Sequence, residues 1–253
     1  MYILAIIQAR MGSSRLPGKV LKEIMGKPIL WHVINRVSKS RLISEVVVAT
    51  TYQKEDLAIV EHCASQGIRV FAGSDDDVLD RYYQVAKLCR PDHIVRITAD
   101  CPLHDPAVID MVIQKHLDLD NDYTSNTLEE TFPDGLDCEV FKFSALEQAW
   151  KNAKLVSERE HVTPYIKQGK QFKKYSIVDS VDHSQYRWTL DMDKDFSFIS
   201  KIFEELYSDN PNFDKDDIYQ LLERCPDIME INKGIIRNEG YLKSLENDKL
   251  VTE

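Results

Sequence analysis

Arg10, Arg15 and Lys19 lie within ten residues of one another, in the run Gln8-Ala-Arg-Met-Gly-Ser-Ser-Arg-Leu-Pro-Gly-Lys19. Glycine lets backbone N–H groups turn toward anionic oxygens, and basic side chains neutralise them, so this set of residues is chemistry for holding phosphates. It is not a Walker A loop. Gly12 and Gly18 are six apart rather than five, and Val20 follows Lys19 where a magnesium-binding hydroxyl would stand. No G-x-G-x-x-G occurs either, which sets aside the dinucleotide fingerprint. Charge is unevenly distributed. Residues 1–41 hold eight Lys/Arg and one acid, so with a chain total of −10 the other 212 residues carry −17. Positive charge gathered in one place on an acidic protein points to an anion site.

Acids that could partner this loop stand where strands should end. Ile97-Thr-Ala-Asp-Cys-Pro102 leaves Asp100 at a strand tip, stopped by Pro102. Trp188-Thr-Leu-Asp-Met-Asp193 places Asp191 and Asp193 two apart, on one side of an extended segment. One or two carboxylates together with substrate phosphates are the usual way to hold Mg²⁺. Asp193 reads equally as a helix N-cap, a role Asp195 could also take. A basic loop and metal-holding acids together suit nucleotidyl transfer. An acceptor oxygen attacks an α-phosphorus, pyrophosphate leaves, and the protein's work is positioning and neutralisation.

The elements that must position these groups follow from hydrophobic periodicity. Strands are expected at Ile3–Ile7, Glu45–Thr50, Ile68–Phe71 and His93–Thr98, with helices at Ile29–Lys39, Lys54–Gln66, Asp76–Cys89 and Pro106–Leu117. That β-α-β rhythm predicts an α/β fold with a parallel sheet, whose ligands collect at the carboxyl ends of the strands. Asp122–Cys138 is polar and reads as a loop, with a turn at Pro133-Asp-Gly135. Further on, strands are expected at Leu136–Phe141, Lys174–Val178 and Arg187–Leu190. Helices are expected at Ser144–Ala153, Glu158–Lys167 (interrupted by Pro164), Phe196–Tyr207 and Lys215–Arg224, followed by a polar tail from Asn232. With no evident linker or repeat, 1–253 reads as one domain: 1–120 for the nucleotide, 121–190 for the acceptor and a possible dimer contact, 191–253 to close the metal site.

Composition sets outer bounds. At 253 residues the chain is long enough for a full core. A pI near 5.2 argues against coating nucleic acid, which needs a broad basic face. Five cysteines without a C-x-x-C pair read as reduced thiols. No basic lead precedes the first apolar run, and no run approaches the ~20 residues that span a bilayer, so the expected location is cytoplasmic.

The loop resembles the signature of the cytidylyltransferases that activate acidic sugars, the CMP-Kdo and CMP-sialic acid synthetases, and more closely that of the SpsF-like spore coat polysaccharide biosynthesis branch. Phe71-Ala-Gly-Ser-Asp-Asp-Asp-Val-Leu-Asp-Arg81, Ile97-Thr-Ala-Asp-Cys-Pro-Leu103, Thr131-Phe-Pro-Asp-Gly-Leu-Asp-Cys-Glu-Val140, Arg159-Glu-His-Val-Thr-Pro-Tyr165 and Arg187-Trp-Thr-Leu-Asp191 are similar to that branch as well. The resemblance implies a three-layer Rossmann-like nucleotidyltransferase fold of the glycosyltransferase-A-like type, with CTP as co-substrate and Mg²⁺ as cofactor. It also implies that Ala9, Arg10, Gly12 and Ser13 line the nucleotide site, with Arg15 and Lys19 on the phosphates. Asp100, Asp191 and Asp193 would form the metal site. Gly73 and Ser74 would approach the cytosine or ribose, with Arg81 supporting that pocket. CMP-Kdo synthetases carry Gln and Gly before the strand-tip Asp, where this chain has Thr98-Ala99.

The middle segment is expected to hold an anionic small-molecule acceptor, through Asn126, Asp134, Asp137, Glu139, Arg159, His161 and Arg187. The two arginines could act as planar clamps on its carboxylate or phosphate. Such an acceptor is already nucleophilic, so no general base is demanded. A homodimer through this segment would use Phe132, Phe141 and Phe143 for apolar contact. Two other readings compete: a glycosyltransferase of the same fold, using Asp191-Met-Asp193 to hold metal on a nucleotide-sugar, and a non-catalytic nucleotide-binding protein.

Overall fold

Every residue of strand β1 (Ile3–Gln8) but the last is buried, as expected of a strand with both faces covered. The computed structural model, described over residues 1–251, places β1 in the middle of a seven-stranded sheet. Parallel neighbours flank it: β4 (Glu45–Thr51) on one side, continued by β5 (Arg69–Gly73), and β6 (His93–Thr98) on the other. Beyond β6 come β8 (Glu139–Lys142), β7 (Tyr123–Ser125) and β9 (Lys174–Ser176), giving the order β5-β4-β1-β6-β8-β7-β9. The first four strands are mutually parallel, β8 runs against both its neighbours, and β7 is parallel to β9. A small hairpin, β2 (Glu23–Ile24) with β3 (Lys27–Pro28), stands apart from the sheet.

Side chains alternate across a strand, and those of β1 divide between two cores. Ile3, Ala5 and Ile7 enter a core built with α1 (Ile29–Val37), α2 (Leu57–Ser65), α4 (Pro106–Asp118), α8 (Asp193–Leu206) and α9 (Lys215–Arg224). Leu4 and Ile6 enter the opposite core with α3 (Val78–Cys89), α5 (Phe143–Asn152) and α7 (Pro164–Gln168). Helices cover both faces, so the molecule is the three-layer α/β fold expected. Two short helices complete the chain: α6 (Val156–His161) and α10 (Glu239–Glu246). Local chemistry sets several helix starts. Asp77 accepts from the Asp80 N–H at 2.8 Å to begin α3, and Asp105 accepts from Ala107 at 2.7 Å to begin α4, with Pro106 in its first turn.

The expected elements need correcting in three places. Tyr123–Ser125, inside the segment read as a loop, is a fully buried strand between β8 and β9. Its three residues are too few to show a period, and only the ladder defines it. Arg187–Leu190 is no strand: it makes a single bridge, Asp134 to Arg187, and is held otherwise by individual bonds such as Leu190 N–H to the Asp100 carbonyl at 2.8 Å. The helix expected over Lys54–Gln66 starts as a 3₁₀ turn, Lys54–Asp56, before α2. Two of the three residues expected at an apolar dimer contact lie inside the molecule, and the third is half-buried. Phe132 and Phe141 are 1% and 0% exposed inside the core, and Phe143 packs beside Tyr83. Among the described residues no helix is long and apolar enough to cross a membrane.

One ionic knot ties the β6–β8 seam. Glu139, expected to meet an acceptor, is 2% exposed and enclosed. Its carboxylate pairs with Arg96 and with Lys167 at 2.9 Å, and accepts from Tyr123 Oη at 2.5 Å and Thr163 Oγ1 at 2.7 Å. Burial alone would raise its pKa, but Lys167 and Arg96 outweigh burial and hold it well below the ordinary 4.5. Glu139→Gln leaves the half-buried Arg96 and the partly exposed Lys167 without their counter-charge and should cost about 3 kcal/mol in urea unfolding, the low end for breaking a buried pair. Stability should also fall with acid in two stages. Burial lowers His104 to about 4 and His116 to about 3, so the unfolded chain takes up protons first as pH drops below 6.5. Glu139 adds to the loss below 4.5. Asp134, which burial pushes up to about 7, works the other way as pH falls through 7, so the loss is read between pH 6 and pH 4: the melting temperature should be lower at pH 4, and equal values there would contradict this assignment.

Candidate active site at the ends of β1 and β6

The chain leaves β1 toward β4 on one side and joins β6 on the other, and crevices form at such a switch point. Here it is a cleft of about 450 Å³. The loop after β1 is pinned by Asp56, just before α2: its Oδ1 accepts from the Met11 N–H at 2.7 Å and its other oxygen from the Thr51 N–H at 3.2 Å. Ser13 Oγ accepts from the Leu16 N–H at 3.2 Å, and the Gly18 N–H returns to the Met11 carbonyl at 3.0 Å. Gly18 then turns the chain with φ 68°, a conformation that favours glycine, and Lys19 follows as the first residue of a 3₁₀ turn.

That turn aims the Lys19 ammonium at the ends of two other segments. Nζ donates to Asp100 Oδ2 at 2.8 Å, Asp191 Oδ1 at 2.8 Å and the Leu190 carbonyl at 2.7 Å, which uses all three of its protons. Burial by itself would lower the Lys19 pKa, but the Asp100 and Asp191 charges together raise it. Partial burial would raise the pKa of Asp100, but the Lys19 charge outweighs it and draws the acid below the ordinary carboxylate range. Arg15 reaches Asp191 Oδ1 at 3.0 Å from the open side.

Behind Asp191 stands Arg187, whose side chain is 9% exposed. It meets Asp134 at 2.9 Å, Asp191 at 3.0 Å and Asp195 at 3.0 Å. Asp195 caps α8 by accepting from the Asp191 N–H at 2.9 Å and the Met192 N–H at 3.0 Å. Asp193, the first residue of α8, is exposed and does not line the cleft. Gly135, at φ 119°, lies against this segment: an added Cβ would come within 2.6 Å of the Trp188 carbonyl carbon. The Pro133-Asp-Gly turn therefore serves to seat Arg187.

Of the residues expected on the nucleotide side, Ala9, Arg10, Gly12, Ser13, Arg15, Lys19, Arg81, Asp100 and Asp191 all line the cleft. Gly73 and Ser74 do not line it. Gly73 makes room for Arg81, since an added Cβ would meet Arg81 Cγ at 3.1 Å, and Ser74 Oγ accepts from the Asp77 N–H at 3.1 Å. Of the acceptor set only His161 reaches the cleft. Arg159 is committed to Asp77 and to the Trp150 carbonyl, so it offers no free clamp. Asn126 closes a loop onto Leu136 and Cys138, and Asp137 pairs with Arg237 at 2.9 Å. His161 owes its place to a strained turn: Val162 has φ 71° and ψ −53°, and the Thr163 N–H closes on the His161 carbonyl at 2.8 Å. Lining residues given no role from the sequence include Gln8, whose Oε1 is buried without a partner, Thr98 and Glu160, which lie inside the quoted motifs, and Lys243, which lies in none of them.

A family model described as cytidylyltransferase matches residues 4–223. The chain belongs to the cytidylyltransferase family. It is 33% identical over 238 residues to the spore coat polysaccharide biosynthesis protein SpsF of Bacillus subtilis, covering 89% of this chain and 95% of that protein. A solved cytidylyltransferase from Leptospira borgpetersenii superposes with a TM-score of 0.88 at 33% identity, over 93% of this chain and 99% of the other. A 3-deoxy-manno-octulosonate cytidylyltransferase of Geobacter metallireducens is 43% identical over 115 residues, 45% of this chain and 44% of that protein. This cytidylyltransferase is a CTP-dependent nucleotidyltransferase.

Arg187→Lys tests the scaffold behind the cleft. A lysine keeps the charge but lacks the planar fork that spans three carboxylates. Losing one or two of those bonds should lower unfolding stability by about 1–3 kcal/mol and slow CTP turnover together. Unchanged stability in a urea titration would show that Asp134, Asp191 and Asp195 do not depend on Arg187.

Proposed function

We propose that this cytidylyltransferase transfers CMP from CTP to an acidic sugar or a phosphorylated acceptor, releasing pyrophosphate, with Mg²⁺ as cofactor, in the synthesis of a surface polysaccharide. The observation that carries the reading is the single ammonium of Lys19 joining Asp100 and Asp191, beside the cations Arg10 and Arg15. Two carboxylates converging on one point make a hard oxygen donor set. Among the described residues no group of three or more His, Cys, Asp or Glu could hold a metal alone. A pair of carboxylates completed by substrate phosphates is what Mg²⁺ accepts, so the residues fit the ion.

In this reading Asp100 and Asp191 hold the Mg²⁺, which when bound spreads the charge of the triphosphate. Arg10 and Arg15 receive the phosphates, with the loop amides around Gly12 and Ser13, while Lys19, whose three protons go to Asp100, Asp191 and the Leu190 carbonyl, adds its charge from behind the two acids. The base lies toward Ala9 and Arg81, and the unpartnered Gln8 Oε1 suits the exocyclic amine of cytosine. An ionised acceptor oxygen attacks the α-phosphorus, the bond to the β-phosphate oxygen breaks, and pyrophosphate carries away the charge. Lys19 offsets charge as it moves from the α-phosphate to the leaving group, a preorganised role that needs no proton transfer. His161 and Glu160 face the acceptor, while Asp134, Glu139, Arg159 and Arg187 shape the wall behind it.

The acidic-sugar acceptor is supported by the names of two relatives, one acting on 3-deoxy-manno-octulosonate and one in spore coat polysaccharide synthesis. Against the glycosyltransferase reading stands the split Asp191/Asp193 pair, only the first of which faces the cleft. Asp100→Asn should reduce pyrophosphate release at least about 100-fold while leaving the melting temperature within a few degrees, because it removes a charge that acts in the transition state. Pyrophosphate release with CTP, Mg²⁺ and a panel of sugar acids is the assay. Wild-type rates in Asp100→Asn would remove Asp100 from the mechanism.

A further inference from the structure

The family match ends at residue 223, yet the chain beyond it returns to the cleft. Gly240 and Lys243, both on α10, line the same space as Lys19 and Asp100. α10 buries no residue of its own, so its position is not set by apolar packing. Polar contacts on both flanks hold it as a strap. On one flank Arg237 pairs with Asp137 at 2.9 Å and donates to the Phe132 carbonyl at 3.1 Å. On the other, Asp248 accepts from the Ser157 N–H at 3.0 Å and the Ser157 hydroxyl at 2.6 Å. The Val156 N–H donates to the Lys249 carbonyl at 2.9 Å, and the Val251 N–H to that of Lys154 at 2.8 Å. Midway, Ser244 Oγ meets His161 Nε2 at 3.0 Å, and the Tyr241 ring stands edge-on to His161.

Glu239 lies where this strap crosses the phosphate loop. One of its carboxylate oxygens takes Arg15 at 2.8 Å and the other takes Lys243 at 2.6 Å. A carboxylate held between two cations at the mouth of an anion site occupies the position an incoming anion would take. Lys243 is half of that cradle and comes from a part of the chain the family match does not include.

We propose that Lys243 is a nucleotide-binding residue. When CTP enters, its β- and γ-phosphates displace Glu239 from Arg15 and Lys243, and the two cations hold the triphosphate from opposite sides of the cleft. Glu239 keeps the pair screened until then, so the strap both supplies a ligand and sets a threshold for anions. No bond is made or broken in this exchange. The inference rests on the cleft being the CTP site, and the experiment separates the two.

Calorimetric titration of the full chain with CTP and with CMP, each with Mg²⁺, reads the effect directly. A charge-assisted hydrogen bond to phosphate predicts that Lys243→Ala weakens CTP binding about tenfold. CMP binding should stay within about twofold, because CMP lacks the two outer phosphates. Glu239→Gln should tighten CTP binding several-fold, since the cations no longer need to be released. Lys233→Ala, which removes the same charge from an exposed site in the same tail, should bind both nucleotides as wild type does. Equal CTP affinity in Lys243→Ala and wild type, or an equal loss for CTP and CMP, would overturn the proposal. Wild-type protein that binds neither nucleotide would instead overturn the assignment of the cleft. Loosening of the strap shows up as a matched loss for both nucleotides, which also counts against the phosphate role.

Discussion

Lys19 is where three distant parts of the chain meet, and the geometry of the cleft depends on that meeting. Its ammonium binds the tip of β6 through Asp100 and the segment before α8 through Leu190 and Asp191. Without a cation there, two half-buried carboxylates would face each other and repel, and one would gain a proton or turn away. With it, they stay ionised and converge on one point. Their exposure, 26% for Asp100 and 20% for Asp191 against 11% for Lys19, leaves the acids reachable from the cleft while the lysine is mostly covered.

Around this point charges are arranged in alternating shells. Lys19 lies between acids; Arg15 meets Asp191 from the solvent side and Arg187 meets it from the protein side. Arg187 is itself neutralised by Asp134 and Asp195. A buried ion network of this kind is a poor source of net stability, because desolvation cancels much of the attraction. What it provides is orientation, with each carboxylate held by more than one donor. The parallel half of the sheet supplies the frame, for β1 and β6 are paired in register from Ile3 with His93 to Gln8 with Thr98. The phosphate loop and Asp100 thus leave neighbouring strands at the same level.

Much of this was legible in the sequence because local chemistry carries it. A run of five apolar residues ending in glycines and cations marks β1 and its loop, and Pro102 marks the tip that carries Asp100. Asp191 was legible as an acid after an apolar stretch, though the stretch is not a strand. The acceptor wall was not. Arg159, Glu139 and Asp137 looked available because a sequence shows their charge and not their partners. Asp77 engages Arg159 from 82 positions away, Arg237 engages Asp137 from 100, and Arg96 engages Glu139 from 43. Lys243 lies in a polar tail with no apolar period to fix its place, so nothing local announces that it reaches the cleft.

That Lys19 organises the two acids and then serves the triphosphate is open to direct test by steady-state pyrophosphate release. Lys19→Met is compared with wild type over a range of CTP concentrations. Because one group holds the acids in place and lends its charge to the triphosphate, kcat should fall by about two orders of magnitude or more and KM for CTP should rise. A variant with wild-type kcat and KM would contradict both roles.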